Sequence, residues 1–257
     1  MTVGEQKWPD CLWIVRHGES AGNVARRTAY ETGLATIELD VRDVDVPLSP
    51  LGEQQARALG HWFGRKPAGE RPTVVLASPY ARAVRTAELI CEGAGLDPEE
   101  LGLCCDERLR EKEFGILDRF TRVGIRASHP EQAELRVRLG KFYHRPPGGE
   151  SWCDVILRLR SVVGTLTREY RGERVLIVCH SVVVSCFRYL LERMTEHEIL
   201  EIDRMDEVAN CSVTRYEFDP SAGKQGKLLL REYNFVAPLR EEGTPVTEEP
   251  DARALAP

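Results

Sequence analysis

Apolar residues fall in two spacings along this chain. Three short unbroken runs, Cys11-Leu-Trp-Ile-Val15, Thr73-Val-Val-Leu-Ala77 and Arg174-Val-Leu-Ile-Val-Cys179, predict strands packed on both faces, since a strand covered on each side need not alternate with polar residues. Between them the spacing stretches to three and four. Ser49-Pro50 is a helix start, Ser as cap and Pro at the first helical position, and Ala56, Leu59 and Phe63 follow on one face. Ser78-Pro79 repeats that signature, predicting a helix to about Gly93. Ser151 opens a third, where Ile156, Leu159, Val163, Leu166 and Tyr170 form one stripe. Val182 to Arg193 reads as a fourth helix. Asn210 to Phe218 and Lys227 to Tyr233 read as later strands joined through Pro220-Ser-Ala-Gly223. Strands alternating with helices predict an α/β domain, a three-layer sandwich with a largely parallel central sheet, and such sheets bind ligands at the carboxyl ends of their strands.

Composition narrows the class. With 257 residues, 42% hydrophobic and 30% charged, the chain can bury a core without staples. A net charge of -6 opposes general nucleic-acid binding, which needs a basic face. No apolar run reaches the roughly 18 to 20 residues of a membrane span, and Met1 to Asp10 lacks the regions of a signal peptide, so a cytoplasmic location is expected, with no membrane partner. The eight cysteines, at 11, 91, 104, 105, 153, 179, 186 and 211, show neither zinc nor disulfide-framework spacing, and most read as small buried hydrophobes. Cys104 and Arg110 do stand in the C-x5-R spacing of cysteine-dependent phosphatases. The loop between them carries two acids and no glycine, which would repel a phosphate. From Pro238 onward, four prolines and five acids in twenty residues predict a tail, 238–257, with little packing, after a domain spanning 1–237.

Candidate chemistry gathers at strand ends. Arg16-His17-Gly18-Glu19-Ser20-Ala21-Gly22-Asn23 follows the first strand directly. A lone histidine there is ordinarily a packing residue. His180, however, ends the strand at Cys179, so two histidines 163 residues apart occupy equivalent places on one sheet edge. Arg82, at the start of the helix after a third strand, reaches the same edge with a fork of donors suited to phosphate.

At this point the chain resembles the histidine phosphatase superfamily, which includes phosphoglycerate mutases and fructose-2,6-bisphosphatases. The resemblance rests on six segments in order: Arg16-His-Gly18 with Asn23, Asp45 to Ala56, Ser78 to Glu88, Arg108-Leu-Arg-Glu111, Gly149-Glu-Ser151, and His180 after its strand. It implies a phosphoglycerate mutase-like fold, with His17 attacking phosphorus to form a phosphohistidine. Arg16, Arg82, Asn23 and a protonated His180 bind the phosphoryl oxygens, and Glu111 serves as proton donor and then base. No metal and no cofactor is implied. Read alone, Glu111 is more simply an ordinary surface acid in a charged turn, and its place in Arg108-Leu-Arg-Glu111 is what turns the reading to catalysis. Arg85, a turn beyond Arg82, reads as solvent-facing, Glu150 as a structural acid at a helix N-terminus, and His61, His129, His144 and His197 as surface or packing residues.

The resemblance also assigns 112–148 as a cap over the remainder of the substrate. Eight Lys/Arg against four Asp/Glu give it a local charge of +4, which suits a sugar phosphate or a further anionic group, or a basic solvated helix. The pattern lies closest to the fructose-2,6-bisphosphatase branch. That branch, however, carries Lys, Gln and Arg where this chain has Gly148, Ser181 and Ser185. Mutases follow their acid with an aromatic-glycine pair and then a polar stretch that carries a lysine, whereas here Phe114-Gly115 leads into Ile116-Leu-Asp-Arg-Phe-Thr-Arg122 without one. The expected activity is therefore hydrolysis of a small phosphorylated substrate, with a mutase and a catalytically idle phosphate-ligand sensor as alternatives. Oligomeric state is not read from the sequence.

Overall fold

A computed structural model describes residues 6–248. Its strands are β1 (Cys11–Arg16), β2 (Val74–Ala77), β3 (Cys104–Cys105), β4 (Arg174–Cys179), β5 (Val213–Asp219) and β6 (Lys227–Phe235). The helices are α1 (Ala21–Glu31), α2 (Pro50–Gly64), α3 (Ala81–Ala94), α4 (Arg122–Ser128), α5 (Pro130–Tyr143), α6 (Trp152–Glu169), α7 (Ser181–Glu192), α8 (Glu196–Met205) and α9 (Ala237–Glu241). The strands form one sheet in the order β3-β2-β4-β1-β5-β6. β3, β2, β4 and β1 run parallel, and β5 and β6 close the other edge antiparallel.

Alternation along each strand builds the three layers. On β4, Val175, Ile177 and Cys179 enter a core with Trp152, Leu159 and Leu166 of α6 and Phe187 of α7. Leu176 and Val178 enter the opposite core, with Leu59 and Phe63 of α2 and Leu89 and Ile90 of α3. Both faces are dry, which is why these strands read as unbroken apolar runs. No described helix is long and apolar enough to cross a membrane.

Helix starts follow their caps with one exception. Ser49 caps α2 through the Gly52 amide, and Ser151 forms a capping box with Asp154 at α6. Ser78-Pro79 does not start α3. That helix begins at Ala81, after Tyr80, because Ser78 is held in the sheet edge by its amide bond to the Val178 carbonyl.

The predicted tail also departs from expectation over its described part. Pro238 and Leu239 are buried, and Val246 packs against the α2/α3 core. Gln55 Nε2 donates to the Pro245 carbonyl at 3.0 Å and to Thr247 Oγ1 at 2.9 Å. Arg65 pairs with Glu241 and Glu242. Prolines and acids disfavour an independent fold, but they do not prevent docking once a buried leucine and a buried glutamine anchor the segment. The end of the tail, 249–257, lies outside the described residues.

Candidate active site

β1, β4 and β2 lie side by side and deliver His17, His180 and Ser78 to a common edge. The His17 amide bonds the Cys179 carbonyl at 2.9 Å, one residue past the β1/β4 ladder. Its ring is held from the other side, with Nδ1 2.7 Å from the Gly18 carbonyl oxygen. A carbonyl only accepts, so Nδ1 carries the hydrogen and Nε2 is left with its lone pair. Burial, then the charges of Arg82 and Arg16, hold His17 well below the ordinary histidine range. It is a neutral imidazole, 3% exposed.

The loop bearing His17 is clamped against the start of α2. A Cβ on Gly18 would stand 2.5 Å from the Gly52 carbonyl oxygen, and one on Gly52 would stand 1.9 Å from the Glu19 carbonyl oxygen. Only glycine at both positions permits that approach. The Gly18 amide donates to Thr86 Oγ1 and the Glu19 amide to Gln55 Oε1. Asn210 Nδ2 donates to the His17 carbonyl at 3.0 Å and lies 3.4 Å from Asn23 Oδ1.

His180 is fully buried at the N-cap position of α7. The His17 and His180 ring centroids are 5.1 Å apart. His180 Nε2 hydrogen bonds Ser78 Oγ at 2.8 Å, and Nδ1 lies 3.8 Å from Glu111 Oε2. Burial first, and then Arg82, His17, Arg158 and Arg16, hold its pKa well below the usual range. Burial and the surrounding cations thus oppose the second proton that sequence assigned to His180.

Arg16 and Arg82 are both buried. Arg16 Nη1 donates to the Val208 carbonyl at 2.6 Å. The Arg82 guanidinium lies over the Tyr80 ring and meets Asp43, with Nη1 2.6 Å from its carbonyl oxygen and 3.1 Å from Oδ1, and Nη2 3.3 Å from Oδ2. Asn23 sits in the first turn of α1, where its Oδ1 accepts from the Ser20 amide in a capping box. Glu111 has a side chain 14% exposed, and its Oε1 accepts from the Lys112 amide at 2.8 Å. Its turn is pinned to α6: Arg158 donates to the Arg108 and Glu111 carbonyls and pairs with Glu150, which also takes Arg110. Glu150 is thus a structural acid. Arg85 pairs with Glu88 and Glu92 on the surface.

The six predicted residues, Arg16, His17, Asn23, Arg82, Glu111 and His180, surround one edge. Ser78 and Asp43 join them without having been anticipated. Ser78 stands at a strand end like the two histidines, a usable signal that the Ser-Pro cap signature masked. The C-x5-R spacing has no matching site, since Cys104 is exposed on β3 and Arg110 is committed to Glu150. In the 112–148 segment, Lys112 is buried beneath Phe114 and desolvation pushes its ammonium pKa down to about 8.

A mostly parallel sheet whose edge carries two buried histidines and two buried arginines defines the chain as an α/β protein with its buried charges gathered at the strand ends. The chain belongs to the histidine phosphatase superfamily (branch 1), whose sequence pattern matches residues 12–228. It is similar to the probable phosphoglycerate mutase GpmB of Photorhabdus laumondii, 28% identical over 210 residues, covering 82% of this chain and 86% of that protein. It is also similar to a probable fructose-2,6-bisphosphatase of Schizosaccharomyces pombe, 32% identical over 179 residues, covering 68% of this chain but 36% of the other. Among solved structures, YhfR of Bacillus stearothermophilus superposes with a TM-score of 0.68 at 26% identity, covering 89% of this chain and 98% of that one.

Proposed function

We propose that this chain is a metal-independent phosphomonoesterase that hydrolyses a small phosphorylated metabolite through a phosphohistidine on His17. The observation that carries the reading is the His17 ring itself: neutral, and fixed by Gly18 in the tautomer that leaves Nε2 nucleophilic. In the first step Nε2 forms a bond to phosphorus while the ester P–O bond breaks, and Glu111 gives its proton to the departing alkoxide. In the second, water attacks phosphorus, the P–Nε2 bond breaks with its electron pair returning to nitrogen, and the Glu111 carboxylate takes the water's proton. Arg16 and Arg82 neutralise charge on the equatorial oxygens, Asn23 supplies a neutral donor, and His180 donates one hydrogen bond across the site. A bound phosphate dianion also favours a second proton on His180. The substrate is a small sugar-like or carboxylated ester, met by the basic 112–148 segment acting as cap. The reaction is assigned to the cytoplasm, with neither nucleic acid nor membrane as partner.

Similarity to the mutases makes phosphoryl transfer between positions of one substrate the second reading. A mutase must shield its intermediate from water for many turnovers, and the absence of a lysine from the stretch that follows Phe114-Gly115 favours hydrolysis. The deciding experiment is a phosphate-release screen over small esters with phosphoglycerate interconversion assayed in parallel. We expect free phosphate, acid-labile phosphate trapped on the wild type and lost in His17→Ala, and turnover insensitive to chelators. Interconversion stimulated by a bisphosphate without free phosphate overturns the hydrolase reading, and ligand binding with no turnover makes the chain a sensor.

A further inference from the structure

Arg82 is 5% exposed and permanently charged, and a buried cation needs a partner. Among the described residues, every hydrogen bond its side chain donates goes to Asp43: one to the main-chain oxygen, and one to each carboxylate oxygen. Asp43 lies outside the sheet edge, at the start of a single 3-10 turn, Asp43–Asp45, with its side chain 44% exposed. Its segment is suspended from the 112–148 region, since Arg119 donates to the Leu39 and Val41 carbonyls and Thr121 Oγ1 to the Leu34 carbonyl. An acid is thus seated on a guanidinium that faces two histidines, in a site built for anions. Two carboxylate oxygens on two guanidinium nitrogens imitate the way a phosphoryl group takes the same fork.

We infer that Asp43 is an intramolecular competitor for the phosphate site, a carboxylate that occupies Arg82 when no phosphoryl group is bound and must yield that arginine to substrate. The inference rests on the proposed phosphate role of Arg82. A phosphoryl group that enters either displaces the carboxylate or sits beside a negative charge, and both weaken its binding. Free phosphate has nothing else to offer in return, whereas an ester gains contacts through the remainder of the molecule. Asp43 therefore weakens product and substrate by the same factor, but free phosphate, which has no other contacts to hold it, is left the more weakly bound, and this helps the site empty after each turnover.

The test uses the full chain with inorganic phosphate and orthovanadate as probes, measured by calorimetric binding and by inhibition of ester hydrolysis. Asp43→Asn keeps the shape and the main-chain contact but removes the charge. It is expected to tighten phosphate about tenfold, the scale of one charge-assisted contact, and to lower KM for an ester in the same direction. Asp43→Ser must change affinity in the same direction, and thermal melting of both variants establishes that they fold. Phosphate affinity unchanged or weakened in both variants overturns the inference and makes Asp43 a positioning residue for Arg82. Because binding is read separately from turnover, a wild type that binds vanadate without hydrolysing any ester defeats the proposed function while leaving this comparison readable.

Discussion

At the scale of single residues, the protonation of His17 has a consequence for stability that can be given a sign. Its folded pKa is depressed by burial and by two arginines, whereas the unfolded chain titrates near the ordinary value of about 6.5. As pH falls below that value the unfolded state binds a proton that the folded state refuses, so stability decreases toward acid. Each such histidine contributes up to about 1.4 kcal/mol per pH unit until the folded pKa is reached. His180 adds in the same direction. Urea unfolding of the wild type between pH 7 and 5 is expected to show stability falling with pH, and His17→Gln to flatten that slope by one proton's worth. Equal slopes would show that some other group carries the dependence. The sequence revealed both histidines because strand ends are visible as the last residue of an apolar run. It could not reveal their charge, since desolvation and the convergence of Arg16 and Arg82 exist only after folding. Asp43 was hidden for the same reason: it lies 39 residues from Arg82 in a loop with no periodicity.

At the scale of elements, the junction of the His17 loop with the N-terminus of α2 is the most intolerant contact in the site. Gly52→Ala places a carbon 1.9 Å from a carbonyl oxygen that cannot move without shifting His17. We expect a loss of roughly 3 kcal/mol or more together with loss of activity. Gly69→Ala, whose Cβ meets nothing within 4 Å, is expected to stay within about 0.5 kcal/mol of wild type. Calorimetric melting of the pair checks both, and a Gly52→Ala variant as stable as Gly69→Ala would refute the clamp. The strands β1, β2 and β4 and the helices α2, α6 and α7 were legible because burial on both faces, or on one stripe, leaves a period in the sequence. α1 was not, because within Ala21 to Glu31 only Asn23 and Ala29 are buried. β3, two residues long, is too short for any period. The start of α3 was misplaced because a serine hydroxyl serves equally as a helix cap or, here, as a partner for His180.

At the scale of the whole molecule, the class of fold was readable and the docking of the last segment was not, since composition reports what a stretch cannot do alone and not what it can lean on. That segment touches two of the residues that hold the His17 loop. Thr247 bonds Asn210 through both its carbonyl and its hydroxyl, at 2.9 and 3.0 Å, and Gln55 takes Pro245 and Thr247. A chain ended after Gly243 is expected to keep its sheet by circular dichroism yet lose most of its turnover. Full activity in that variant would show the brace to be dispensable. The arrangement also sets an order in time. β1 is made first but its parallel neighbour β4 comes 163 residues later, and the residue that finishes the brace, Thr247, follows more than sixty residues after β4 begins. With synthesis proceeding at about 5 to 20 residues per second, a growing chain therefore carries His17 for roughly ten seconds or more before the contacts that hold its loop can all be made.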